Sequence, residues 1–179
     1  KAETKTSQLI LTIDDNDSVT VNMGVPKFDP VNIPLDVDKK SENYSLKLGK
    51  EEIVFGAISI GNPHAVIIVD DVDLASVKTI GDFLQKNEMF PEGVNVGFVQ
   101  ILDRKNIKLR VFERGVGETL ACGSGACAAV AVAYQQGRLE EVVNVELRGG
   151  YLTLRWKGGE QPIYMSGFVE TVYEGEIEL

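Results

Sequence analysis

The stretch Glu113-Arg114-Gly115-Val116-Gly117-Glu118-Thr119-Leu120-Ala121-Cys122-Gly123-Ser124-Gly125-Ala126-Cys127 runs directly into Ala128-Ala129-Val130-Ala131-Val132-Ala133-Tyr134. Two charged residues at a strand end are followed by a loop punctuated by Gly115 and Gly117, then by a small-residue turn that opens an apolar helix. From Ala126 to Tyr134 every residue is apolar or small. A helix without a polar face is expected to be buried all round, and a narrow tube of sheet is the enclosure that suits it. Short strands before and after this one helix predict an α+β domain and not an alternating βαβ sheet.

The same stretch delivers a thiol to a helix start. A helix beginning near Gly123 leaves its first N–H groups unpaired and its positive dipole end outward, which favours a thiolate or a carboxylate there. Cys122 is therefore expected to ionise more readily than a free cysteine, whose pKa is about 8.5. Gly123 and Gly125 lack a Cβ, so a ligand carboxylate can approach the amides of Gly123, Ser124 and Gly125. Cys127 lies inside the apolar helix and reads as an ordinary buried cysteine. Five positions apart on a helix, the two side chains diverge, which argues against a local disulfide.

The 179 residues are 44% hydrophobic and 25% charged, enough for one domain or two small ones. A net charge of −9 with no basic patch argues against nucleic-acid or anionic-membrane partners. Two cysteines without metal-ligand spacing point to a reducing compartment, and a single histidine excludes a multi-histidine metal centre. No signal-peptide pattern or long apolar run is present, so the expected location is cytoplasmic; the polar start at Lys1, without a Met, leaves room for a targeting segment ahead of it.

Leu9–Ile13 and Val19–Val21 flank the turn-rich Asp14-Asp15-Asn16-Asp17-Ser18 and read as a hairpin. Residues 24–40 hold three prolines and no regular period, which predicts an extended connector and a domain boundary. Strands are expected at Tyr44–Leu48, Glu52–Ile60 and Ala65–Val69, with Gly61-Asn62-Pro63-His64 a tight turn that sets an amide and an imidazole at a strand mouth. A lone histidine is by default a satisfied structural residue. Leu74, Val77, Ile80 and Leu84 predict an amphipathic helix over Asp73–Lys86, capped by Asp73. In the strand Val94–Gln100, alternation sets Asn95 opposite Val94 and Val96, either on the surface or in a cleft. Ile107–Phe112, Val142–Leu147, Tyr151–Trp156, Pro162–Met165 and the Glu-rich Phe168–Leu179 read as further strands, and Gly137 ends the buried helix. Glu113-Arg114 is either a solvated edge pair or faces the ligand of the glycine-rich loop. No dinucleotide fingerprint, phosphate loop or lysine suited to a pyridoxal Schiff base is present, so cofactor-free chemistry is expected.

Together, Val21-Asn22-Met23-Gly24, Gly61-Asn62-Pro63-His64, Phe90-Pro91-Glu92-Gly93-Val94-Asn95, Glu113-Arg114-Gly115-Val116-Gly117-Glu118-Thr119 and Ala121-Cys122-Gly123-Ser124-Gly125-Ala126-Cys127 resemble the diaminopimelate epimerases, in the family's order and over nearly the whole chain. The resemblance implies two pseudo-symmetric domains, each a curled mixed sheet or barrel around a central helix, with a site between the two helix N-termini. It also implies conversion of LL-2,6-diaminopimelate to the meso form, a step in lysine and peptidoglycan precursor synthesis. No cofactor or metal is implied: one cysteine thiolate removes the α-proton and another thiol protonates the opposite face. Cys122 matches the second of those cysteines. By the same carry-over the Gly123 and Ser124 amides hold the reacting carboxylate and Glu113 the reacting amine. Arg114, Asn62 and Asn95 would read the distal end of the substrate, and His64 would assist proton handling.

The family's first segment, with its own cysteine-bearing loop, has no counterpart here, and Cys127 inside the helix does not replace it. The chain thus resembles about the C-terminal two-thirds of the family's length. Residues 24–166 are expected to form the C-terminal domain, with 1–23 and 167–179 a remnant of the N-terminal one. The chain alone is expected to be inactive. A proline or hydroxyproline racemase and a non-catalytic binding domain of the same fold are the competing readings. A small-molecule substrate is the expected partner, and the resemblance leaves room for a homodimer.

Overall fold

The computed structural model describes residues 2–3, 8–14 and 18–177. Twelve strands lie among them: β1 (Ala2–Glu3), β2 (Gln8–Ile13), β3 (Ser18–Asn22), β4 (Tyr44–Leu48), β5 (Glu51–Ser59), β6 (Pro63–Ile68), β7 (Asn95–Asp103), β8 (Asn106–Glu113), β9 (Gly117–Thr119), β10 (Val142–Leu147), β11 (Gly150–Arg155) and β12 (Tyr164–Phe168). Two α-helices join them, α1 (Val77–Gln85) and α2 (Gly123–Gln135). The strands form one mixed sheet in the order β1-β2-β3-β12-β11-β10-β8-β7-β6-β5-β4, with β9 attached to β8. β6–β7 and β10–β8 are parallel pairs and the rest antiparallel. The curled mixed sheet or barrel that the resemblance implies does not hold: among the described residues the hydrogen-bonded path is open, ending at β1 and β4.

The central strands β5–β8 contribute buried residues from both faces, and their period of two sorts these into two cores. Ile53, Phe55, Ala57, Ala65, Ile67, Val94, Val96, Phe98 and Phe112 pack with Val77, Ile80 and Leu84 of α1. Ile58, Val66, Val99, Ile107, Leu109 and Val111 pack on the other face with α2. Leu154, Trp156, Val143 and Val145 from the far part of the sheet join that second core, so α2 is covered without closure of the sheet. Gly125–Ala133 of α2 is buried throughout, as its missing polar face requires.

Three local expectations change. Helix α1 begins at Val77 with Ser76 at its cap position, not at Asp73. Asp73 instead donates its N–H to Asp71 Oδ1 in a preceding turn, and Leu74, read as part of the apolar stripe, is 83% exposed. The proline-rich 24–40 segment is docked, because Ile33 and Leu35 insert into the α1-side core and Lys27 bridges Ser59. The final segment is strand only to Phe168; Val169–Gly175 and beyond to residue 177 has no regular structure, and residues 178–179 of the expected strand lie outside the described residues. The hairpin is present as β2–β3, its turn residues 15–17 also lying outside, and β3 pairs with β12 to join the main sheet. Among the described residues no helix is long and apolar enough to cross a membrane.

Candidate active site

Cys122 occupies the cap position of α2 with extended backbone, and its Sγ accepts the Gly125 N–H at 3.4 Å. A side-chain acceptor at this position satisfies one of the four orphan amides of the helix start. The Gly123 and Ser124 amides that follow have no acceptor among the described residues. Both glycines have a packing reason as well. A Cβ on Gly125 would lie 3.1 Å from Val111 Cγ2 and 3.2 Å from Cys122 Sγ, and one on Gly123 would lie 3.0 Å from Met165 Sδ. A side chain at Gly125 would crowd the thiol where it folds back onto its own helix, and one at Gly123 would crowd Met165.

Strand parity decides what faces the thiol. His64 shares the α2-side face of β6 with Val66, Asn95 shares that of β7 with Val99, and Glu113 shares that of β8 with Val111. His64 is register-paired with Asn95. Asn62 Oδ1 accepts from His64 Nε2 at 2.9 Å, which places the imidazole proton on Nε2. Asn62 Nδ2 then donates to Ser124 Oγ at 3.4 Å, and Ser124 Oγ lies 3.6 Å from Cys122 Sγ. Histidine, asparagine, serine and cysteine therefore form one chain of contacts ending at the thiol.

Glu113 and Arg114 part company. The Glu113 carboxylate, on the α2-side face with Val111, accepts from the Thr119 hydroxyl, while its backbone carbonyl accepts from Gln85 Nε2 at 2.8 Å. Arg114 is exposed at the rim, where its guanidinium donates to the Glu92 carbonyl at 2.8 Å. Asn95, only 4% exposed, is on the α2-side face, and both ends of its amide are engaged by backbone: Nδ2 donates to Pro63 O at 3.1 Å and Oδ1 accepts from Arg114 N at 2.9 Å. It ties the Pro63 turn to the Arg114 loop. Thr119, Gln85 and Met165 were not singled out from the sequence. Thr119 needed β9 to be recognised as a strand, and Gln85 and Met165 arrive from elements distant in the chain.

The electrostatics reverse one expectation. Cys122 is 8% exposed, and burial pushes its thiol up from the usual value, with the Glu113 carboxylate adding to the rise. The Ser124 hydroxyl and Gly125 amide pull the other way without prevailing. Desolvation by the two packed layers outweighs the helix-start contribution that the sequence suggested. His64 is 1% exposed and held down to about 3, first by burial and then by the positive charge of Arg114. Its unfolded value of about 6.5 lies above the folded one, so between the two the unfolded chain binds the extra proton and stability falls with falling pH. Urea midpoints are expected to show a loss of about 2 kcal/mol between pH 7 and pH 5, a slope that His64→Gln removes. An unchanged slope in that variant would assign the acid sensitivity elsewhere.

A buried thiol, a partly buried carboxylate and two helix-start amides without an acceptor among the described residues suit acid–base work at a carbon beside a carboxylate. The family model for diaminopimelate epimerase matches residues 56–172, well over half of the chain and every residue of this cluster. Among solved structures, the chain resembles a probable proline racemase from Agrobacterium radiobacter with bound carbonate, with a TM-score of 0.65 and 12% identity over 100% of this chain and 63% of that one. It also resembles a hydroxyproline epimerase from Agrobacterium vitis with bound trans-4-OH-L-proline, with a TM-score of 0.62 and 14% identity over 94% of this chain and 59% of that one. At such identities the likeness is one of fold, and this chain spans roughly six-tenths of either neighbour's length. The match of the family model over residues 56–172 shows that the chain belongs to the diaminopimelate epimerase family.

Proposed function

We propose that this chain supplies one of the two acid–base halves of a cofactor-independent amino-acid epimerase acting on diaminopimelate. The observation that carries the reading is Cys122 Sγ at the start of α2, next to the Gly123 and Ser124 amides, which have no acceptor among the described residues, with the charge of Glu113 bearing on the thiol. In this reading the substrate carboxylate binds at those amides and its ammonium at Glu113. The ammonium offsets the charge of Glu113, one of the causes that keep the thiol protonated, and so eases ionisation of Cys122. The thiolate then takes the α-proton: the C–H bond breaks, an S–H bond forms, and the electron pair stays on carbon, delocalised toward the carboxylate that the helix start stabilises. A thiol on the opposite face, from a segment beyond these residues, returns a proton and inverts the centre.

The domain division at residues 24–166, with 1–23 and 167–179 belonging to the other half, is part of the same proposal. The exposed Arg114, beside Glu113, suits a substrate with a second amino-acid end, which favours diaminopimelate over proline or hydroxyproline. Deuterium incorporation from heavy water tests the reading. The 179-residue chain alone is expected to exchange no α-hydrogen at a useful rate, and the chain joined to a segment bearing the second cysteine to exchange that of diaminopimelate but not of proline or hydroxyproline. Robust exchange by the chain alone overturns the split site, and exchange of proline in preference to diaminopimelate overturns the substrate.

A further inference from the structure

Glu113 is opposite Gly117 in the β8–β9 pair, and Gly117, at φ +100°, presents no side chain to it. The next residue on the same face of β9 is Thr119, paired with Val111. Diagonal cross-strand neighbours are about 7–8 Å apart, within reach of a long side chain. The Glu113 side chain reaches this diagonal neighbour, and its Oε1 accepts from the Thr119 hydroxyl. The same hydroxyl lies 3.5 Å from the carbonyl of Ala121, one residue before the thiol. β9 is itself clamped through its middle residue: Glu118 takes a bidentate pair from Arg110 at 2.7 and 3.0 Å and a third contact from Arg148 at 3.0 Å. A three-residue strand has little hold of its own, so this ion cluster fixes where Thr119 stands.

We propose that Thr119 is a positioning residue, its hydroxyl holding the Glu113 carboxylate so that its remaining acceptor capacity is aimed at Cys122 and at a bound ammonium. Without the hydroxyl the carboxylate loses the side-chain hydrogen bond that fixes its orientation. The proposal deepens the epimerase reading and rests on it for the ammonium, but the aim of the carboxylate at the thiol is testable without turnover. Besides Glu113, the ionisable groups about this corner are His64, which stays neutral, Arg114 at the rim, and Cys127, which burial pushes well up.

The experiment is iodoacetamide alkylation of Cys122 followed against pH in the 179-residue chain, where Cys127 is fully buried and silent. Glu113→Gln is expected to move the midpoint down, because it removes the neighbouring negative charge. Thr119→Val, similar in shape but without the hydroxyl, is expected to move it the same way, Thr119→Ser to restore it, and Thr119→Val to add nothing in the Glu113→Gln background. A midpoint unchanged by Thr119→Val while Glu113→Gln shifts it overturns the proposal, as does a Thr119→Val shift of equal size in the Glu113→Gln background. Should Thr119→Val fail to fold, Thr119→Ala carries the same comparison. If the titration behaves as expected and deuterium exchange does not occur in the joined protein, the functional reading falls and the positioning role stands.

Discussion

Replacing Cys122 with alanine is expected to lower α-hydrogen exchange by about 10³- to 10⁴-fold in a protein that carries this chain together with the second cysteine, while substrate still binds. The loss corresponds to about 4–5 kcal/mol of transition-state stabilisation, as removal of a group that forms the new bond to the proton demands. Binding should persist because the groups proposed to hold the ligand survive the change: the Gly123 and Ser124 amides are backbone, and Glu113 is held from β9 and α1. One structural side effect is expected, since Gly125 N–H loses its Sγ acceptor and the helix start loses its cap. A cap is worth about 1 kcal/mol, too little to unfold the chain. Exchange that stays within about tenfold of the parent would remove Cys122 from the mechanism. A loss of binding in step with the loss of exchange would make it a structural cysteine.

The largest expected effect on stability comes from Gly81→Ala in α1. In an exposed helix this change would stabilise, by about 1 kcal/mol of propensity. At Gly81 the added Cβ would lie 2.4 Å from Phe112 Cγ, 2.5 Å from its Cδ1 and 2.9 Å from its Cβ. Phe112 is buried, and a contact with its Cβ is not relieved by rotating the ring, so either α1 or β8 must move. Overpacking of this kind costs about 1–3 kcal/mol and occasionally more, and the upper end applies where backbone must shift. A net loss of about 2–3 kcal/mol in a urea titration is expected, the propensity gain included. Phe112→Ala should remove part of the conflict, so the double variant should be less destabilised than the two single changes summed by more than about 1 kcal/mol. Strict additivity, or a stabilised Gly81→Ala protein, would show that α1 stands off from β8. Because Phe112 precedes Glu113, the same displacement would disturb the site as well.

Much of the site was readable from spacing alone. Small residues from Ala121 to Ala126, followed by an apolar run, place Cys122 at a helix start whatever the rest of the chain does, since helix nucleation and the unpaired first amides are local properties. The period of two likewise sets Asn95 opposite Val94 and Val96, whereas His64, read as part of a turn, and Glu113, read as following a strand, gain definite faces only because β6 starts at Pro63 and β8 runs to Glu113. The ionisation of Cys122 was not readable in this way. The helix start predicts a lowered value, but burial prevails, and burial depends on how completely other segments cover the atom. Asn95 shows the same divide: alternation allows surface or cleft, and only the approach of the Pro63 and Arg114 backbones decides that both ends of its amide are engaged.

What the sequence determined by itself was the set of chemical groups and their local geometry: the thiol before Gly123, the all-apolar helix behind it, and the Asn62–His64 and Glu113 positions at strand ends. Only the tertiary structure decided which of these groups meet, that the sheet stays open, that the proline-rich 24–40 segment docks into the core, and that Thr119 reaches Glu113. The physical reason is range. Turn chemistry, capping and hydrophobic periodicity act over a few residues, whereas desolvation and hydrogen bonds such as Asn62 to Ser124 join segments tens of residues apart and exist only once the core has closed around them.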